Sequence, residues 1–178
     1  MWESNSALPK PKVKLVAKHF FSGSSACKLD EKARFVLPQD MRYGLVENGE
    51  LEFCLALGVG GCLTIYKKSD IEKIVAKFEA KAHIAKFQKF FTLFFSTLHH
   101  TTCDKVGRIT IPSILKNACG IKNDVVVCGV MNKIEIWPKD VYERQLQELL
   151  FGADSETSLA NLAQEAFALI SEDEVLNV

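Results

Sequence analysis

Two short stretches of this chain carry the same reactive residues in the same order. Asp30-Glu-Lys-Ala-Arg34-Phe-Val-Leu-Pro38 and Asp104-Lys-Val-Gly-Arg108-Ile-Thr-Ile-Pro112 both read D-x-x-small-R-apolar-x-apolar-P. An arginine presents a planar fork of donors that grips a phosphate or a guanine edge with two prongs. Arg34 and Arg108 are therefore candidates for contacting a nucleic acid. A carboxylate would repel phosphate. Asp30 and Asp104 are instead assigned to holding each loop, by accepting backbone N–H groups or by pairing with the arginine. The competing reading makes each arginine only the structural partner of its aspartate.

Other chemistry finds little support. The six cysteines include no C-x-x-C pair, and Cys54 and Cys128 sit in apolar runs where a thiol behaves as a small hydrophobe. All six are expected reduced, as in a cytosol. His99 and His100 are neighbours on an extended segment and point to opposite faces, so they are not expected to share a metal with Cys103. Gly23-Ser24 could in principle cleave itself to a pyruvoyl group, but a Gly-Ser-Ser turn is the simpler reading. No catalytic Ser/His/Asp or Cys/His set and no phosphate-binding glycine loop has motif support. Neither a cofactor nor a metal is expected, and no enzymatic role.

The elements that must position the arginines come from the repeat. After each proline a short helical stretch runs to a glycine, Gly44 or Gly120, read as its stop. An apolar strand follows, Leu51–Leu57 or Val125–Val130, then an alternating one ending in Tyr66 or Trp137. Phe35-Val-Leu and Ile109-Thr-Ile read as strands ended by the prolines. A half of this length buries too little surface to fold alone, so the halves must share one β core or interleave. Between them, Ser69-Asp-Ile-Glu72 reads as a capping box opening a helix. A second helix begins near Ile84, with Phe87, Phe91, Phe94 and Leu98 at helical spacing. Part of that phenylalanine stripe is expected in the core and part at a subunit contact. Two helical segments follow, Val141 to Leu150 and Leu159 to Ile170.

The chain has 178 residues, 48% hydrophobic and 25% charged, which excludes a disordered or collagen-like polymer. No charge-free apolar run in it, Phe90 to Leu98 included, reaches the roughly 18 residues of a membrane span. No secretory signal is expected. The zero net charge hides an asymmetry: residues 1–141 carry +7 and residues 142–178 carry −7. That division hints at a polyanion-facing part and an acidic tail.

The doubled motif resembles the two SpoVT–AbrB-type halves of the MraZ family of bacterial transcriptional regulators. Phe21-Ser-Gly-Ser, Phe90-Phe-Thr-Leu-Phe-Phe95 and Asn132-Lys-Ile-Glu-Ile-Trp137 resemble further stretches of that family, and the likeness runs from about Phe21 to Leu150. The resemblance implies an α+β fold, a tandem-repeat AbrB-like swapped-hairpin β barrel with interdomain and C-terminal helices, in a ring-shaped homo-oligomer. It implies binding of double-stranded DNA at repeated sites upstream of the division and cell-wall gene cluster, including the protein's own promoter, in the cytoplasm and on the nucleoid. Arg34 and Arg108 would contact the DNA, with Lys32 and Lys105 beside them in the same loops. The organisation expected is a flexible basic arm over 1–20, one half over 21–71, interdomain helices over 72–97, a second half over 98–141 and a helical acidic tail over 142–178. The first motif has Ala33 where the family has glycine, which is strained if that residue needs positive φ. An oligomeric interaction module recruiting a partner through the acidic tail is the alternative function.

Overall fold

The computed structural model describes residues 19–152 and 158–175, with side chains as far as Ile170. The first eighteen residues of the expected arm and residues 153–157 and 176–178 of the tail lie outside them. The first half comprises β1 (Ser24–Lys28), β2 (Arg34–Val36), α1 (Gln39–Leu45), β3 (Phe53–Leu57), β4 (Leu63–Lys67) and α2 (Lys68–Glu79). A 3-10 turn, Ala85–Phe87, leads into α3 (Gln88–Thr97). The same order then recurs as β5 (His99–Thr101), β6 (Arg108–Thr110), α4 (Ser113–Ala118), β7 (Asp124–Val130), β8 (Lys133–Pro138) and α5 (Lys139–Phe151), followed by α6 (Leu159–Val175).

The halves interleave. β1 pairs with β7 of the second half, and β5 pairs with β3 of the first. The two inner hairpins, β3–β4 and β7–β8, join along β4 and β8. All ladders are antiparallel, giving one six-stranded sheet in the order β1-β7-β8-β4-β3-β5 and a separate β2–β6 ribbon. The closed barrel implied by the resemblance is not formed among the described residues. β1 and β5 are the two ends of the sheet, and the chain breaks each ladder at the loops before β2 and β6.

Alternation along the strands sets the core. Phe53, Leu55, Leu63, Ile65, Val125, Val127, Ile134 and Ile136 all turn to one face, where Phe35 and Ile109 of the ribbon and Leu45 and Leu115 of the short helices meet them. Each such side chain contributes roughly 1.5–3 kcal/mol on burial. β3 is buried on both faces, because its Cys54 and Ala56 pack under Ile71 of α2 and Phe94 of α3.

Two local expectations are corrected. Gly44 does not stop α1; it lies inside the helix and is buried, and a Cβ there would come within 2.4 Å of His19 and Phe21 side-chain atoms. Its role is close approach. Gly120, at φ 64, does follow α4 as a left-handed stop. Ser69 does not cap α2. The helix starts two residues earlier, after Lys67, and the Ser69 amide and hydroxyl both donate to the Glu47 carboxylate. A tertiary acceptor on the loop before β3 has replaced the local one.

Because each half's leading strand completes the other's sheet, residues 19–97 alone are expected to give no folded monomer. Sedimentation with circular dichroism on that fragment checks this: only unfolded chain or a self-paired dimer is compatible with the interleaving.

Candidate nucleic-acid interface

The ribbon positions the candidate arginines. In β2–β6, Arg34 stands opposite Thr110, Phe35 opposite Ile109, and Val36 opposite Arg108. Side chains alternate across a strand, so Phe35 and Ile109 enter the core while Arg34, Val36, Arg108 and Thr110 share the outer face. The two arginines thus lie diagonally on one small surface, related by the two-fold of the repeat. Lys32 and Lys105 are exposed in the loops that lead into the strands.

Each loop is built on its aspartate. Asp30 Oδ1 accepts the backbone N–H groups of Lys32 and Arg34 at 2.9 Å each, and Oδ2 accepts Arg34 Nε at 2.8 Å and Nη2 at 2.7 Å. Asp104 Oδ1 accepts the N–H groups of Val106 and Arg108 at 2.9 Å, and Oδ2 accepts Arg108 Nε at 2.8 Å. One carboxylate therefore fixes both the turn and the guanidinium. The side chains of Arg34 and Arg108 stay 27% and 35% exposed, so each fork is oriented without being covered. Both pairs are at the surface, where the ion pair itself adds little stability. Its consequence is a set direction for the arginine.

Both carboxyls are pulled down to about 2, Asp30 chiefly by the Arg34 side chain and Asp104 chiefly by the Arg108 backbone N–H. Arg34 is raised, first by its bond to Asp30, with Asp104 across the ribbon adding to it. The two loops therefore lie within electrostatic reach of one another.

A cross-brace ties the loops together. The Leu37 N–H donates to the Gly107 carbonyl at 3.0 Å, and the Ile111 N–H donates to the Ala33 carbonyl at 2.9 Å. The residue before each proline thus grips the residue before the opposite arginine. Ala33 and Gly107 both take the left-handed conformation, at φ 55 and 86. Alanine pays for this with strain that glycine escapes. Gly107 has a second reason to lack a side chain, since a Cβ there would lie 2.1 Å from Arg42 Nη1. Sequence reasoning missed Arg42. Its guanidinium covers the Gly107 backbone, and its buried Nε has no acceptor among the described residues. Nothing in the spacing of α1 marks it.

Other candidate groups fall apart in space. His100 Nδ1 lies 3.2 Å from Cys54 Sγ, whereas Cys103 packs against the opposite, inner cluster. Among the described residues no three His, Cys, Asp or Glu side chains gather as metal ligands. All six cysteines are free thiols, and burial pushes Cys54, Cys62 and Cys103 up to about 11, far from a reactive thiolate. Ser24 opens the β1–β7 ladder, and Gly23 just before it is left-handed at φ 79, its carbonyl accepting the Gly129 N–H at 2.8 Å.

The family model described as "MraZ protein, putative antitoxin-like" matches twice in tandem, over residues 20–93 and 94–168. The chain belongs to the MraZ family. A protein of Cytophaga hutchinsonii named transcriptional regulator MraZ is 30% identical over 128 residues, 71% of this chain and 85% of that one. Its namesake from Natranaerobius thermophilus is 30% identical over 149 residues, 82% of this chain and 95% of the relative. Each MraZ copy thus contains one aspartate–arginine loop and one member of the ribbon.

Two predictions follow the loop geometry. Ala33→Gly should raise stability by up to about 1 kcal/mol by relieving left-handed strain, while Gly107→Ala should lower it by about 1–2 kcal/mol; denaturant midpoints measure both. The depressed carboxyls give a stabilisation that is full above the unfolded-state value near 4 and lost as pH falls through about 2. Asp30→Asn with Asp104→Asn should flatten the fall of stability between pH 4 and 2, read by denaturation at stepped pH.

Proposed function

We propose that this chain is a transcriptional regulator that binds double-stranded DNA through the outer face of the β2–β6 ribbon. The observation that carries the reading is the pair of arginines, each aimed by a carboxylate on one small, cross-braced surface. Such a fork reaches a guanine edge or a phosphate in two-pronged fashion. Lys32 and Lys105 flank it and would add phosphate contacts. The names of the relatives support regulation of transcription.

One ribbon supplies few cations, so a single copy would bind weakly. A homo-oligomeric ring presenting several ribbons multiplies weak contacts through linkage and favours repeated sites. On this reading the protein acts in the cytoplasm, on the nucleoid. Its sites are repeats upstream of the division and cell-wall gene cluster and its own promoter, which it represses by occupying the ground polymerase needs. The tandem architecture argues against a simple antitoxin, which needs one such half and a toxin-binding tail. The exposed apolar face of α6 favours interaction with another protein surface as a second property.

The test is a gel-shift titration with DNA from just upstream of the protein's own gene, with unrelated competitor. Arg34→Ala and Arg108→Ala should each weaken binding while leaving oligomer mass unchanged. A lost base contact removes about 1–3 kcal/mol of discrimination, and a lost phosphate contact instead reduces the salt slope by roughly 0.9. Unaltered binding in the double variant would remove the ribbon from the interface. No binding by the wild-type chain at low salt would remove the DNA reading.

A further inference from the structure

The outer face of the ribbon differs between its two ends. The repeat relates Arg34 to Arg108, Val36 to Thr110, Lys32 to Val106 and Glu31 to Lys105. Across the β2–β6 ladder Arg108 stands opposite Val36, and Arg34 stands opposite Thr110. Directly opposite residues share a face with their Cβ atoms about 5 Å apart, so each is its arginine's close neighbour there. Val36 is 48% exposed, and Val106, two residues before Arg108, is 61% exposed. At the other end Thr110, Lys32 and Glu31 hold the equivalent places, all exposed. Arg108 is thus accompanied by two bare valines, and Arg34 by polar groups.

Strand propensity accounts for a β-branched residue at Val36, but threonine satisfies it equally. Val106 has no such account. It lies in a tight turn, Asp104 to Gly107, closed by the Gly107 N–H on the Asp104 carbonyl at 2.9 Å, and its own N–H donates to Asp104 Oδ1. Turns of this kind favour Gly, Asn, Asp and Ser, not valine. The matching turn, Asp30 to Ala33, carries Glu31 and Lys32 at its tip. Arg42 lies against Gly107, so the turn that shows Val106 to solvent is backed by a side chain. The charge differs as well. Asp30 and Glu31 balance Lys32 and Arg34, whereas the second loop sets one acid, Asp104, against Lys105 and Arg108.

A two-stranded ribbon fits the major groove of DNA, where each thymine shows a C5-methyl group and each guanine two acceptors. We propose that the Arg108 end of the ribbon reads a thymine methyl beside the base that Arg108 grips, with Val36 and Val106 packed on that methyl, and that the Arg34 end makes no such contact. This rests on the DNA reading above. The Gly107 turn meets the ladder at Leu37, and the other turn is at Ala33, about four strand steps or roughly 13 Å away. Base pairs stack about every 3.4 Å, so the two ends meet different base pairs. A thymine read at one end is out of reach of the other. The valines ask for no hydrogen bond. They gain by displacing water from the methyl, which discriminates against cytosine, whereas phosphate contacts discriminate between no bases.

The experiment uses the full-length protein and the upstream DNA of the gel shift. One duplex is made with thymidine and one with deoxyuridine, which pairs identically and lacks only the methyl. The wild-type chain should bind the deoxyuridine duplex about fourfold or more weakly, the factor expected for one buried methyl. Replacement at single positions then locates the thymine. Val36→Ser with Val106→Ser should bind both duplexes alike, and Thr110→Ser should keep the wild-type ratio; circular dichroism checks each variant's fold. The wild-type comparison involves no substitution, so it holds whether or not a variant folds. Equal binding of the two duplexes by the wild-type chain would overturn the proposal and leave the DNA reading standing. So would a ratio that persists in the folded valine variant, or one that vanishes with Thr110→Ser. A wild-type chain that prefers neither duplex to unrelated competitor would overturn both.

Discussion

Everything in this protein depends on an exchange: neither half can satisfy its own sheet. β1 finds its partner in β7, β5 in β3, and β2 and β6 find only each other. The backbone hydrogen bonds of the leading strands are met by the opposite half, so fold and surface are created in one step. The ribbon is the place where this dependence is most concentrated. Its inner face supplies Phe35 and Ile109 to the core, its outer face carries both arginines, and its ends are locked by reciprocal bonds from Leu37 and Ile111. The surface cannot shift without disturbing the core beneath it.

The aspartates solve a problem that exposure creates. A free arginine on a surface samples many rotamers, and ordering it on contact with a ligand costs entropy. Here the carboxylate that organises the turn also holds Nε, so part of that cost is met when the chain folds. The pairing reduces net positive charge at the surface, which weakens unselective attraction to polyanions. A pre-aimed fork with moderated charge suits reading a site better than merely adhering to phosphate. The same logic explains why the loops carry no buried charge: the pair stays wet, and its purpose is direction.

Much of this was legible in the sequence because the repeat displays it twice. The paired D-x-x-small-R-apolar-x-apolar-P motifs marked two short strands and the prolines that end them, while their pairing as a ribbon was not read and a left-handed Ala33 entered only as a condition set by the family's glycine. The requirement that the halves share a core followed from their size alone. What was not legible depends on contacts between residues far apart in the chain. Ser69 reads locally as a helix cap, but Glu47 outcompetes the local acceptor. Gly44 reads as a helix stop, but His19 and Phe21 press on it from outside. Arg42 carries no local signature, and only the fold lays it over Gly107. Local propensity is a weak prior that tertiary contact overrides, as at Ser69 and Gly44; at Arg42 there was no local signal to override.

The repeat is also informative where it fails. Internal duplication makes one half a reference for the other, so a difference in packing between equivalent places cannot be attributed to strand geometry. On the outer face of β3, Phe94 of α3 covers Cys54 and Ala56 and leaves a groove of about 450 Å³ beside Tyr66 and Phe78; on the outer face of β7, a groove of about 520 Å³ lies beside Trp137 and Leu149. Exposed apolar surface of that kind carries a free-energy cost that burial removes, at roughly 25 cal/mol per Å². The duplicated fold thus repeats its strands without repeating what covers them.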